Sequence, residues 1–402
     1  MKAQVPSQEA KPSSIGGRVF SRIARRIVCG SLTVRTPAGE TLRFEGPEPG
    51  PSAELVFARW RALLRLATGG SLGFAEAYMA GDWSSPDLAT FLELVARNEE
   101  DLSVPNGLAP LRVINRLIHR ARRNTRRGSR RNIAAHYDLG NAFYAPWLDV
   151  GMSYSSAIYK TGSETLDEAQ DAKIERVMEQ LGLKGGEKVL EIGCGWGALA
   201  EAMMRSHGCQ VTGLTLSHEQ LAYAQKRLAQ SAHNGSADLK LQDYRDAGGV
   251  FDRIVSIEMI EAVGADHWAH YFGVLRDRLK RGGLAVLQAI TIDERRFEAY
   301  RQSPDFIQRY IFPGGMLPTR SIMKEQVQKA GLILEHAEHF ASSYAQTLAE
   351  WQKRFEAAWP KIAELGFDTR FRRMWEYYLA YCQAGFRMGA IDVGLYRIAK
   401  PA

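Results

Sequence analysis

Hydrophobic and polar positions change rhythm several times along this chain. Residues 1–17 are polar and predict a flexible N-terminus. Over 18–105 two periods mix. The short runs SLTVRT and TLRFEG predict strands, and the longer runs AELVFARWRALLRLA and DLATFLELVARN predict helices, which together make a small N-terminal α/β domain. The stretch SVPNGLAP has the Pro, Gly and Asn chemistry of a linker. Within 106–131, Leu111, Ile114, Leu117 and Ile118 fall at helical spacing and predict a basic linker with an amphipathic helix. Further on, TLDEAQDAKIERVMEQLG places Ile174, Val177, Met178 and Leu181 on one helical face and stops at Gly182. Strand-like runs (KVLEIG, CQVTGLTLS, LKLQD, FDRIVSIEMI, GLAVLQAITI) then alternate with helix-like ones. Such alternation predicts an α/β fold whose sheet is mainly parallel and covered on both faces by helices. Beyond residue 295 the chain is rich in aromatics and reads as mostly helical.

Composition narrows the class. With 402 residues, 45% hydrophobic and 24% charged, the chain is an ordinary globular protein of one large domain or two linked ones, not a disordered one. No apolar run approaches the 18 residues or so of a membrane-spanning helix. The opening residues MKAQVPSQEAKPSSIGG lack the apolar core of a secretory signal, so a cytoplasmic location is expected. Cys29, Cys194, Cys209 and Cys382 form no C-x-x-C pair and read as reduced thiols, not as a disulfide frame or a metal site. Net charge is +7, yet residues 111–131 alone hold nine arginines and no acidic residue; without them the remainder stands at −2. The basicity is one local patch. No nucleic-acid-binding motif accompanies it, which favours anionic lipid headgroups as its partner.

The strongest chemical signal is Val189-Leu190-Glu191-Ile192-Gly193-Cys194-Gly195-Trp196-Gly197, a hydrophobic strand running into a glycine-rich turn that opens a helix. Backbone approaches a ligand closely only where side chains are absent. The spacing is G-x-G-x-G, not the G-x-G-x-x-G of dinucleotide folds, and no Lys-Ser/Thr follows to make a P-loop. The turn resembles the S-adenosylmethionine loop of class I methyltransferases. After the next strand, where many such enzymes place an acidic residue for the ribose, this chain has Thr215. Gln220 has two readings, a capping box with Ser217 or a cofactor contact.

The motifs together resemble the cyclopropane-fatty-acyl-phospholipid synthases, a family similar to the mycolic acid cyclopropane synthases. The carriers are Ala135-His136-Tyr137-Asp138-Leu139-Gly140-Asn141, Met152-Ser153-Tyr154-Ser155, the EIGCGWG loop, GLTLSHEQ and Asp243-Tyr244-Arg245-Asp246. Glu258-Met259-Ile260-Glu261-Ala262-Val263-Gly264, Tyr310-Ile311-Phe312-Pro313-Gly314-Gly315 and Tyr381-Cys382-Gln383-Ala384-Gly385-Phe386 complete the series. The resemblance implies a class I methyltransferase sheet of Rossmann type over 132–402 with a helical lipid-binding part. It implies cofactor contacts at Tyr154, Ser155, Gly193, Gly195, Thr215, Leu216, Gln220 and Ile257, and Tyr244 offers a wall for the adenine.

What the resemblance implies about activity is methyl(ene) transfer from S-adenosylmethionine to the cis double bond of an unsaturated acyl chain in a membrane phospholipid. An alkene is a weak nucleophile and the resulting carbocation is quenched by water, so such a site must be aligned, dry and lined with rings. Tyr310, Phe312, Tyr344, Trp375, Tyr377, Tyr378, Tyr381 and Phe386 are candidates, most of them as core residues. By the same resemblance a bound bicarbonate is the base that takes the last proton, held by Glu261, Tyr344, the residue at 288 and backbone at 156. Two positions depart from the pattern: Ser156 stands for the usual cysteine and Gln288 for the usual histidine. Glutamine cannot carry a proton at neutral pH. The product therefore stays open between a cyclopropane and a methyl-branched or methylene acid. An RNA or protein methyltransferase is the more distant alternative. His136 and Asp138 are either a structural pair or part of the site entrance, Cys382 reads as packing, and the family points to a homodimer at the inner membrane face.

Overall fold

The computed structural model describes residues 13–102, 139–231 and 234–402. The linker and amphipathic helix expected over 106–131, the arginine run and the His136–Asp138 pair lie outside those residues. The chain forms two compact units, Met1–Asn115 with Asp368–Met388, and Arg116–Phe367 with Gly389–Ala402.

In the first unit, strands β1 (Cys29–Arg35), β2 (Thr41–Glu45), β3 (Glu48–Phe57) and β4 (Trp83–Ser84) pair in the order β2-β1-β3-β4. Residues 15–17, expected to be flexible, are the first turn of helix Ile15–Ala24, whose N-cap Ser14 accepts from Gly17 N–H. A second expectation is corrected at AELVF, which is strand and not helix. Ala53, Leu55 and Phe57 are buried with period two, and the helix starts only at Arg61. Helix Leu88–Arg97 forms as expected, capped by Asp87. Helix Thr369–Arg387 packs against it and against Arg61–Met79. Trp375, Tyr377, Tyr378, Tyr381 and Phe386, expected among the ring candidates of the catalytic part, therefore belong to this unit. Tyr377 lies 5.6 Å from Tyr78 and 6.4 Å from Trp83, centroid to centroid.

The second unit is built on a seven-stranded sheet, β10-β11-β9-β8-β5-β6-β7. Its parallel part comprises β5 (Lys188–Ile192), β6 (Gln210–Thr215), β7 (Ser236–Leu241), β8 (Phe251–Ile257) and β9 (Leu279–Ile292). Helix Leu166–Leu181 has the caps its sequence announces: a Thr165–Glu168 capping box and a left-handed Gly182. Its apolar face packs with Val189, Val255 and Val286 of the sheet. Each such side chain contributes roughly 1.5–3 kcal/mol when fully buried. The stretch beyond 295, read as mostly helical, adds two strands, β10 (Ile333–His339) and β11 (Ile391–Ala399). Both are antiparallel additions, β11 to β9 and β10 to β11. Strand β11 is buried continuously through Val393–Tyr396, so it lacks the alternation that marks a half-exposed strand, and it follows directly on the helical pattern of 369–387. Among the described residues no helix is long and apolar enough to cross a membrane.

Candidate active site

The carboxyl ends of β5, β6 and β8 open on one cavity, where the reversal of strand order leaves a crevice. About 140 Å³ is open to water there, room for on the order of ten water molecules. All nine residues expected at the cofactor line it: Tyr154, Ser155, Gly193, Gly195, Thr215, Leu216, Gln220, Tyr244 and Ile257.

The glycine turn explains itself sterically. Gly193 has φ +85°, and a Cβ there would come within 2.6 Å of Met259 Cγ. Gly193 and Cys194 N–H both donate to Leu214 O at 2.9 Å, which ties the turn to the end of β6. Gly195, with φ +51°, has nothing within 4 Å of its Cβ direction, so the turn presents bare backbone to open space. At β6, Thr215 Oγ1–H donates to Gln220 Oε1 at 2.8 Å. Ser217 caps the next helix through Gln220 N–H, but Ser217 N–H goes to Thr215 Oγ1, so half of the expected capping box forms. These residues fit an S-adenosyl ligand: bare backbone at the turn, a short polar pair at β6, and the Tyr244 ring set edge-on to Tyr271 at 5.3 Å.

The loop from Met152 to Tyr159 closes the cavity and is clamped from two sides. Gln170 Nε2 donates to Ser155 O at 2.9 Å and Lys173 Nζ to Ser155 Oγ at 3.0 Å. From helix Ala341–Ala363, Thr347 Oγ1 accepts Ala157 N–H and Ser343 Oγ accepts Tyr159 N–H, both at 3.1 Å. Rings gather beside it. Tyr154 lies 5.3 Å from Trp351, 5.4 Å from Tyr144 and 5.8 Å from Trp147, and Trp351 meets Tyr344 at 6.1 Å.

Of the four residues expected to be catalytic, the structure brings three to one point, and that point is not the fourth. Ser156 N–H and Gln288 Nε2 each donate to Glu258 Oε1 at 2.8 Å, and Tyr344 O–H donates to Glu258 Oε2 at 2.7 Å. Gln288 also reaches Ser156 O at 3.2 Å. It sits deep in the sheet, registered with Ile257 on one side and Leu395 on the other. Glu261 faces elsewhere: its Oε1 accepts Ile290 N–H at 2.5 Å, and its buried Oε2 has no partner among the described residues. The Tyr310 ring lies tilted against Phe306 at 5.4 Å, while the turn after Phe312 rests on Glu261 through Met316 N–H, which donates to Glu261 O at 2.8 Å.

Glu258 is the residue that reading the sequence missed. It lines the cavity, and its φ of +50° is left-handed, as is that of Met152 at 58°. Among the described residues these are the non-glycine positions in that region, and both border the same cavity. Backbone strain of order 1–3 kcal/mol persists only where surroundings impose it, typically at functional sites. The one sequence signal was a carboxylate immediately after the apolar strand FDRIVSI.

Charge is concentrated and dry here. Burial raises the Glu258 carboxyl, opposed by its three donors and by Lys173. Glu261 is pushed up to about 8 by burial and then by the Glu258 charge, and Glu191 to about 8 by burial against the pull of Lys173. Burial lowers Lys173 against the attraction of Asp149, Glu258 and Glu191. The arrangement is a ligand cavity with a fixed, high-energy carboxylate at its edge, beside a cluster of rings.

The chain is similar to several known proteins. A tuberculostearic acid methyltransferase of Mycobacterium tuberculosis is 42% identical, over 82% of this chain and 79% of that protein. The cyclopropane-fatty-acyl-phospholipid synthase of Escherichia coli is 37% identical, over 83% of this chain and 84% of its own length. A crystal structure of a mycolic acid cyclopropane synthase complexed with S-adenosylhomocysteine and CTAB matches with a TM-score of 0.64 at 31% identity, covering 67% of this chain and 98% of that one. The family model for mycolic acid cyclopropane synthetase matches residues 124–395. This chain belongs to that family and is an S-adenosylmethionine-dependent methyltransferase.

Proposed function

We propose that the chain methylates the cis double bond of an unsaturated acyl chain in a membrane phospholipid and closes it to a cyclopropane. The observation that carries this reading is the Glu258 carboxylate, fixed by three donors at the edge of the cofactor cavity and next to the Tyr154–Trp351–Tyr344 rings. Bound S-adenosylmethionine supplies an electrophilic methyl group on a sulfonium. The chain's own part is to align, to dry and to take a proton. Gly193, Gly195, Thr215 and Gln220 hold the cofactor, and the loop 152–159 excludes water. The rings tolerate the positive charge that develops on the acyl chain. The E. coli relative, named for a phospholipid product, supports a lipid substrate. The arginine run at 111–131 draws the enzyme to an anionic membrane face, each basic residue contributing on the order of 1 kcal/mol.

A second product is favoured by the 42% identity with a tuberculostearic acid methyltransferase: a methyl-branched or methylene acid without ring closure. Lipid mass spectrometry separates the two in cells that express the chain and are fed methionine with a trideuterated methyl group. A ring gains one carbon, keeps two deuteriums and resists hydrogenation. A methylene branch keeps two and takes up hydrogen, and a branched internal alkene keeps all three. An unlabelled lipid pool would refute the lipid substrate.

A further inference from the structure

The family resemblance implies bicarbonate as the base, held by backbone at 156, by the side chain at 288 and by Tyr344. Those donors do not fit a separate anion in this chain. Ser156 N–H, Gln288 Nε2 and Tyr344 O–H all end on the two oxygens of Glu258, at 2.7–2.8 Å. A side-chain carboxylate and bicarbonate present the same planar O–C–O edge, so one fills the donor set that suits the other. A second anion against Glu258 in a dry site would be repelled strongly. Glu261, the remaining expected holder, is turned to Ile290 N–H.

We propose that Glu258 is the catalytic base of this enzyme, its own carboxylate standing where relatives of this type are expected to recruit bicarbonate. Both departures from the family pattern then fall into place. At 156 only the backbone N–H is used, and the serine hydroxyl turns to Ala157 O at 2.9 Å. At 288 only an N–H donor is needed, and an amide serves because proton carriage has passed to Glu258. Gln288 and Tyr344 are positioning residues: they orient the carboxylate through hydrogen bonds to its charged form. The left-handed backbone at Glu258 is what aims a side chain from the end of β8 into that donor set.

The step follows on the lipid reading above, on which the identity of the proton rests. Once one alkene carbon has gained the methyl group, its neighbour is a cation. Glu258 takes one proton from that methyl group, and the freed C–H electron pair forms the third side of the ring. The cation is thereby neutralised, and the carboxylate becomes a carboxylic acid that returns its proton to water after product leaves. Burial, which raises the Glu258 carboxyl, makes it a stronger proton acceptor than an exposed glutamate.

Two measurements on the full-length enzyme test this. The first is binding of 13C-bicarbonate by NMR to the wild type, Glu258→Gln and Glu258→Gly. Wild type and Glu258→Gln should show none, and Glu258→Gly, whose vacated donors and relaxed backbone suit a small anion, should bind it. The second is turnover on vesicles of unsaturated phospholipid in carbonate-free buffer. Added bicarbonate should leave wild-type turnover unchanged. Glu258→Gln should lose about 10²–10⁴-fold while still binding S-adenosylhomocysteine in calorimetry, and Glu258→Gly should be partly restored by bicarbonate. Bicarbonate bound by the wild type, with turnover that falls on its removal, would overturn the proposal. If the wild type gave no lipid product, the substrate reading would fail, and the binding series would still decide whether Glu258 holds the place of the anion.

Discussion

Glu261 offers a quantitative check on how dry this site is. One of its oxygens accepts from Ile290 N–H, the other has no partner among the described residues, and Glu258 lies close enough to add repulsion. Its carboxyl is held near 8, against an ordinary 4.5 that the unfolded chain restores. Below pH 4.5 both states are protonated and the residue is neutral to stability. As pH rises, the unfolded chain ionises first, so the folded state loses stability up to pH 8 and regains none above it. At about 1.4 kcal/mol per pH unit, the loss between pH 5 and pH 9 is on the order of 4 kcal/mol. Glu261→Gln cannot ionise. Its stability relative to wild type should therefore climb by that amount across the same range, whatever constant cost the amide carries. Glu191, similarly raised, is common to both proteins and cancels. The assay is urea unfolding at several pH values, with exposure of Cys194 and Cys209, both buried in this unit, followed by thiol labelling and mass spectrometry. Parallel curves from pH 5 to pH 9 would show that Glu261 is solvated or otherwise paired, and the account of a dry site would fall.

Other consequences are simpler. Tyr344→Phe removes the one donor that the described residues give Glu258 Oε2, a hydrogen bond to a charged group of about 1.5–3 kcal/mol. Without it the carboxyl keeps its proton to higher pH, so the acid limb of kcat/KM should move up by about 1–2 pH units; an unmoved limb would detach Tyr344 from the base. Replacing Arg122, Arg123, Arg126 and Arg127 by Gln should weaken sedimentation with anionic vesicles by on the order of 1 kcal/mol per residue, as added salt should for the wild type. Binding indifferent to both lipid charge and salt would dismiss the headgroup role.

The parallel sheet was legible because its central strands β5, β6 and β8 are largely buried apolar runs and alternate with helices that carry their own caps, such as Thr165–Glu168 and Gly182. The glycine turn was legible for a local reason too: the demand for bare backbone at Gly193 and Gly195 is written in residue type. Elsewhere local pattern misled. AELVF continues smoothly into a helical run, and only pairing of Glu48–Phe57 with β1 makes it a strand. The periodicity of helix Thr369–Arg387 says only that one face is buried, and packing against Leu88–Arg97 and Arg61–Met79 assigned it to the first unit.

The chain by itself therefore determined the fold class and the cofactor turn, since each follows from periodicity or residue size within one segment, whereas Ser156, Gln288 and Tyr344 were implied by the family resemblance. Which carboxylate those residues serve was decided by tertiary structure. Glu258 and Glu261 are three residues apart and alike in composition, and no local rule prefers either. The choice depends on donors from Ser156, Gln288 and Tyr344, which are separated by up to 188 positions and converge only when loop, sheet and helix have packed.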